Sequence, residues 1–149
     1  MSGYSKLYLA MLPGLLARYE LSEQEFRYSP HIQKVINCST HMHHLLLIEF
    51  CLQQHREKYK YAVMPLNGEK ALHHLAMTKS NLNIIEIRKM NQFDLVFYLL
   101  EEFDPEKLNE QDQGYLKTIL KDRHPAKIDL TIHTDWQIGS GDQFLNSAQ

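Results

Sequence analysis

Residues 38–55 read CSTHMHHLLLIEFCLQQH and place two cysteines and four histidines around a long apolar run. From His41 to Lys58 the chain has no glycine or proline and favours helix formers, so we predict one continuous helix. Apolar residues and histidines recur along it at spacings of three and four. This pattern predicts a packed face made by His44, Leu47, Ile48, Cys51, Leu52 and His55.

The same stretch raises the question of a metal site. Cys38 precedes His41 by three residues and Cys51 precedes His55 by four, and both spacings can bring two ligands together on a helix. A helix rises 1.5 Å per residue, so His41 and His55 are about 21 Å apart and cannot share one ion. Only Cys51 and His55 stay a candidate zinc half-site, with further ligands from another segment. A structural role is favoured, because free cysteine is usually buried. We therefore expect no cofactor, with zinc as the alternative.

The composition is typical of one globular domain. The 149 residues are 44% hydrophobic and 23% charged, and the formal net charge of −2 gives no overall attraction to nucleic acid or anionic membranes. Two cysteines make no disulfide framework, so we expect reduced thiols in a cytoplasmic protein. Pro13 and Gly14 interrupt the N-terminal apolar run, so we predict neither a signal peptide nor a membrane span. We assign residues 1–138 to a single domain and residues 139–149 to a flexible C-terminal tail.

Three later segments predict β-strands, which would make the fold α+β. Residues 58–66 are rich in tyrosine and valine, and residues 81–89 hold a cluster of isoleucines. Residues 127–138 alternate apolar and polar side chains, with Ile128, Leu130 and Ile132 on one face. We therefore predict a helix-rich N-terminal third followed by a small sheet of about three strands packed against helices.

A helix at the centre of the core is predicted for QFDLVFYLLEEF, residues 92–103, with Asn91 as its N-cap. Its main apolar face follows the helical spacing. That face would consist of Phe93, Val96, Phe97, Leu100 and Phe103. Asp104-Pro105 would end this helix, and a second amphipathic helix would follow and finish before Pro125.

An acidic stretch, EEFDPEKLNEQD at residues 101–112, lies between these two helices. Residues 86–112 carry eight acidic against three basic side chains. Acids near a helix N-terminus favour a purely structural role. The functional alternative is a docking surface for a basic protein, in which Phe103, if exposed, would supply an aromatic anchor. We call its residues the acidic corner: Glu101, Glu102, Phe103, Asp104 and Glu106.

A third candidate surface combines basic and aromatic side chains, which together can hold phosphates and stack bases. It consists of Arg56, Lys58, Tyr59, Lys60 and Tyr61. Three cations in an overall acidic protein are more typical of a solvated strand edge, so nucleic-acid binding is the less favoured interpretation. Nucleotide-binding and hydrolase motifs of the forms GxGxxG, GxSxG and the P-loop are absent from the sequence.

These patterns favour a small cytoplasmic, non-catalytic protein that regulates another protein by binding it. One concrete version is an inhibitor or immunity-type partner of a basic toxin or nuclease. The first alternative is a metal-dependent or cysteine-dependent enzyme using Cys51, His55 and His44, with His73 or His133 as a further group. The second alternative is a nucleic-acid-binding regulator. The oligomeric state and the identity of the partner are left open by the sequence.

Overall fold

Eight α-helices build the part of the protein that the computed structural model describes, namely residues 2–121, 123, 125, 127–130 and 135–146. They are α1 Gly3–Arg18, α2 Glu23–Tyr28, α3 Gln33–Lys58, α4 Lys70–Lys79, α5 Ile84–Lys89, α6 Gln92–Tyr98, α7 Glu110–Leu120 and α8 Asp142–Leu145. Two 3₁₀ turns, Leu100–Glu102 and Pro105–Lys107, connect α6 to α7. None of the described residues lies in a β-strand.

The predicted α+β fold with its small sheet is therefore wrong. Residues 59–64 form turns beyond the end of α3, and the side chains of Tyr61 and Val63 are almost fully exposed. Residues 127–130 and 135–138 are not in strands either, and residues 131–134 of that predicted strand lie outside the described residues. Tyrosine, valine and isoleucine favour strands only where neighbouring strands and a packed face cover them, and no strand is described here to do so.

The isoleucine cluster at residues 81–89 forms helix α5 instead of a strand. Asn83 begins this helix, because its side chain accepts a hydrogen bond from the Glu86 N–H at 2.9 Å. Ile87 is buried against the core, whereas Ile85 faces solvent. Local capping therefore outweighs the β-propensity of the isoleucines.

The predicted continuous helix after His41 is confirmed, and α3 in fact begins earlier, at Gln33. It contacts α1, α4, α7 and α8, so neighbours surround it on several sides. The buried residues consequently extend well beyond the predicted face, and Leu45, Leu46 and Phe50 are as buried as Leu52. Helix α3 is the central element of the core.

Two apolar clusters meet along α3. The first joins α3 to α1 and α7 and includes Leu7, Leu15, Leu46, Phe50 and Leu116. The second joins α3 to α4, α5 and α6 and includes Leu52, Leu72, Ile87, Leu95 and Ile138. Phe103 and Trp136 pack against both clusters, so they close the seam between the two halves of the core.

The predicted helix 92–103 is shorter than expected and packs through a different face. Its N-cap is confirmed, since the Asn91 side chain accepts hydrogen bonds from the N–H groups of Phe93 and Asp94. The buried residues are Leu95, Val96 and Leu99, while Phe97 and Leu100 are exposed. A segment that is apolar on nearly every face has no periodicity that selects one face, so contact with α4 made the choice.

Residues 139–146, the described part of the predicted flexible tail, contact the core. Gly139, Gly141, Asp142 and Leu145 are buried, and α8 packs against α1 and α3. We call residues 135–146 the C-terminal segment.

The central position of α3 leads to a stability prediction that compares a buried leucine of this helix, Leu46, with an exposed leucine, Leu100. Leu46→Ala should lower the free energy of unfolding by about 2–5 kcal/mol, because it opens a cavity in a fully packed region. Leu100→Ala removes the same atoms from an exposed site and should change it by less than about 0.5 kcal/mol. Urea denaturation followed by circular dichroism measures both, and equal losses would place Leu100 in the core.

Candidate functional site

The predicted zinc half-site is divided between two separate sets of contacts. The Cys51 thiol lies beside the backbone of Asp104, and burial raises its pKa to about 12. The Nε2 atom of His55 lies 2.9 Å from Nδ1 of His74 on α4. One imidazole must donate and the other accept in this hydrogen bond, so at least one ring is neutral. Both side chains therefore already contact residues outside α3.

The surroundings of the histidine pair are cationic and aromatic. The rings of Tyr59 and His74 are 4.6 Å apart, and Lys58 and Lys79 help to lower the pKa of His55 to about 4 after the larger effect of burial. Nearby positive charge opposes the binding of a metal cation as it opposes protonation. In the described ranges, no three histidine, cysteine, aspartate or glutamate side chains group closely enough to hold a metal ion.

The other pair from the opening stretch is also buried. Nδ1 of His41 lies 3.0 Å from the Tyr19 hydroxyl, and the buried Nε2 atom of His41 has no hydrogen-bond partner among the described residues. Burial raises the pKa of the Cys38 thiol to about 12. Nucleophilic cysteines need a thiolate in an electropositive, accessible place, and neither cysteine of this chain meets that requirement.

Within the acidic corner, most groups have structural contacts. The Glu102 carboxylate lies 3.9 Å from Nζ of Lys79 and 3.8 Å from Nζ of Lys107. Asp104 accepts a hydrogen bond from the Glu106 N–H and caps a 3₁₀ turn. Phe103 is half-buried between the two core clusters, so the exposure that an aromatic anchor requires is only partial. Glu101 and Glu106 keep exposed side chains.

An exposed apolar surface lies immediately before the acidic corner, and sequence reasoning missed it. Phe97, Tyr98 and Leu100 are 70%, 54% and 59% exposed. Together with Glu101 they line one shallow pocket of about 370 Å³. We call Phe97, Tyr98, Leu100 and Glu101 the outer patch. The periodicity had placed Phe97 and Leu100 in the core, so no sequence signal marked them as surface residues.

The structure separates the residues of the predicted nucleic-acid surface. Arg56 is buried, and its guanidinium donates hydrogen bonds to the carbonyls of Leu66, Gly68 and Gly139. Its N–H groups are therefore directed at the backbone instead of at solvent. Lys58 lies over the Tyr59 ring at 5.8 Å and Lys60 over the Tyr61 ring at 5.3 Å, which leaves two lysine–tyrosine pairs at the end of α3.

A buried carboxylate, Glu49 on α3, holds the C-terminal segment in place. Its Oε2 atom accepts hydrogen bonds from the Trp136 indole N–H and the Gly139 N–H, both at 2.8 Å, and Oε1 accepts from the Gly141 N–H at 3.0 Å. Burial raises the pKa of Glu49, and these three donors together with Arg56 act in the opposite direction. The result is an anchor between α3 and residues that are distant in the sequence.

Two glycines allow the backbone of the C-terminal segment to come close to Glu49 and to Gly68. A Cβ atom on Gly141 would lie 2.6 Å from Oε1 of Glu49, and one on Gly139 would lie 2.4 Å from the carbonyl oxygen of Gly68. Gly139 also has φ +103°, which other residues rarely adopt. The sequence signal was present in the pair Gly139 and Gly141, but it lay in a segment that we assigned to a flexible tail.

No protein-family model, no curated protein and no solved structure matches the chain. Among the helices of the described residues, none has both the length and the apolarity needed to cross a membrane.

The Glu49 anchor leads to a prediction for Glu49→Gln. An amide cannot accept at both oxygen positions, so one of its N–H groups must face a backbone or indole N–H, and we expect a loss of about 1–3 kcal/mol in the free energy of unfolding. Trp136 is the sole tryptophan, so its fluorescence should shift to longer wavelength as the C-terminal segment loosens. Glu57→Gln, at an exposed position of the same helix, is the control and should change neither quantity.

The buried histidines lead to a prediction about pH. Burial lowers the pKa values of His41, His43 and His55 to about 4, against about 6.5 in the unfolded chain. The unfolded state therefore takes up these protons first, and stability should fall as pH decreases from about 6.5 to about 4, by up to about 1.4 kcal/mol per pH unit for each residue. Urea denaturation across this range measures the slope.

The variant that tests this assignment is His55→Gln. It should reduce the slope by about 1.4 kcal/mol per pH unit whatever its effect on stability at neutral pH, because one titrating group is gone. His31→Gln, at an exposed position, should leave the slope as it is. An unchanged slope in His55→Gln would mean that His55 is protonated in the folded protein.

Proposed function

We propose that this chain is a small non-catalytic regulatory protein that binds a partner protein through the outer patch. The observation that carries the proposal is the exposure of three large apolar side chains, Phe97, Tyr98 and Leu100, around one pocket. Contiguous exposed apolar side chains are typical of interaction sites, and aromatic residues contribute much of the binding energy at such sites.

The charge around the outer patch supports a basic partner. Glu102 and Lys79 also line the pocket and lie 3.9 Å apart, whereas the carboxylate of Glu101 in the pocket wall makes no ion pair with any of the described residues. Asp94 is exposed on α6, three residues before Phe97. A partner that inserts an apolar side chain and surrounds it with lysine or arginine would complement this surface, and the opposite charges would speed its association. An inhibitor or immunity-type complex with a basic toxin or nuclease is one version of this proposal.

The reactive groups of the chain support a binding role more than a catalytic one. The Cys38 and Cys51 thiols have raised pKa values and are buried, so they are poor nucleophiles. Both cysteines are free, which fits a reducing compartment. We therefore propose that the protein acts in the cytoplasm.

The test begins with capture of a partner from the native cell lysate on immobilised protein, followed by its purification and titration calorimetry. Replacing Phe97→Ser and Leu100→Ser together should weaken binding at least about tenfold, because the apolar contact is lost. Glu101→Lys should weaken binding and reduce its dependence on salt, because an attractive charge becomes repulsive.

Ile85→Ser is the matched control for the outer patch. Ile85 is 64% exposed on α5, so the variant removes a comparable apolar surface outside the pocket and should leave the affinity unchanged. Circular dichroism checks that each variant is folded. A partner that binds the Phe97→Ser, Leu100→Ser and Glu101→Lys variants as tightly as the unchanged protein would refute this proposal.

A further inference from the structure

A groove lies between α1, α2, α3 and α7, away from every residue of the outer patch. It consists of two adjoining cavities of about 160 Å³ and about 240 Å³. Tyr8, Phe26 and Lys121 line both cavities, so the two form one continuous groove. Nothing in the predicted zinc half-site, the acidic corner or the nucleic-acid surface contributes to it.

The first cavity has a partly apolar lining and a volume close to that of one small ring. Phe26, Val35 and Ile119 form part of its walls. An apolar cavity of about 150 Å³ is known to accept benzene, so a ligand with one aromatic ring fits a space of this volume. Ligand sites usually combine such an apolar lining with a few placed polar groups, which are present here.

Two hydroxyl groups line this cavity without a hydrogen-bond partner among the described residues. Ser39 on α3 is only 7% exposed, and Tyr8 on α1 is half-buried. Burial raises the pKa of Tyr8, so its hydroxyl keeps its proton and can donate a hydrogen bond. Both hydroxyl groups can therefore donate a hydrogen bond to a bound acceptor without giving up a partner within the described residues.

The charged side chains that line the groove are mainly positive. Lys121 lines both cavities, and its ammonium group forms no salt bridge within the described part of the chain. The second cavity adds Arg27 and one acid, Glu23. Two cations against one carboxylate favour a ligand with a negative charge at this end of the groove.

We propose that this groove binds a small organic carboxylate with a body about the size of one aromatic ring. The ring occupies the apolar cavity lined by Phe26, Val35 and Ile119. The carboxylate lies between the Lys121 ammonium and the hydroxyl groups of Tyr8 and Ser39, which donate hydrogen bonds to it. Such a ligand satisfies the unpartnered donors and the positive charge together.

Phenylacetate is the probe, titrated into the full ¹⁵N-labelled chain while amide chemical shifts are followed. Saturable shifts should appear at residues around Ser39, Phe26 and Lys121. Benzyl alcohol has the same ring without the charge and should bind at least about tenfold more weakly, since the ion pair in a partly dry site is lost. Phenethylamine has the opposite charge and should not saturate.

Lys121→Gln should weaken phenylacetate binding about tenfold, because it removes the charge that pairs with the carboxylate. Lys117→Gln is the matched control, since Lys117 lies on α7 one turn before Lys121 and has an exposed side chain that lines neither cavity. Ser39→Ala should also weaken binding. Leu100→Ser, in the outer patch, should bind phenylacetate like the unchanged chain, so failure of one site is distinguishable from failure of the other.

Lys121→Gly separates binding from folding. Lys121 has φ +51° at the C-terminal end of α7, a conformation in which glycine carries less strain, so this variant should melt at a higher temperature. It should nevertheless bind phenylacetate about tenfold more weakly. Unchanged affinity in Lys121→Gln or Lys121→Gly, equal binding of benzyl alcohol, or no saturable shift up to about 20 mM phenylacetate would overturn the proposal.

Discussion

The arrangement of the C-terminal segment depends on the hydrogen bonds that the buried carboxylate of Glu49 accepts from it. Helix α3 carries this side chain into the interior, where an unsatisfied charge or acceptor costs several kcal/mol. Its three hydrogen-bond donors come from Trp136, Gly139 and Gly141, about ninety residues later in the chain. Arg56, two turns further along α3, binds Gly139 together with Leu66 and Gly68. One helix thus anchors two otherwise irregular segments through its polar residues.

With α3 occupied on several sides, the surface left for function belongs to the outer helices. The outer patch comes from α6 and the 3₁₀ turn after it, which pack on the second core cluster. The groove comes from α1, α2, α3 and α7, around the first cluster. Helices that bury only one side leave apolar and charged side chains on the other, and these are the groups that a partner or a ligand can contact.

Sequence reasoning succeeded where the determinants were local. The continuity of α3 follows from a long run without helix-breaking residues, and the N-cap at Asn91 follows from one side chain and the two N–H groups beside it. The predicted strands at residues 58–66 and 81–89 were wrong. β-Propensity depends on packing against neighbouring strands, and the described part of this fold has none. Sequence reasoning also misassigned Phe97 and Leu100, since the segment around them is apolar on nearly all faces.

The candidate sites show the same contrast between local determinants and tertiary contacts. The sequence by itself determined that α3 is a single long helix, that its two cysteine–histidine pairs are too far apart to share an ion, and that Asn91 caps the helix after it. Only the tertiary structure decided which of its residues are satisfied by distant partners: Glu49 by the C-terminal segment, His55 by His74, and Arg56 by backbone carbonyls. The physical reason is the distance along the chain over which each kind of interaction acts. Capping and helix propensity act within one turn, whereas the burial of a polar group is resolved by whichever distant segment brings a donor or an acceptor to it.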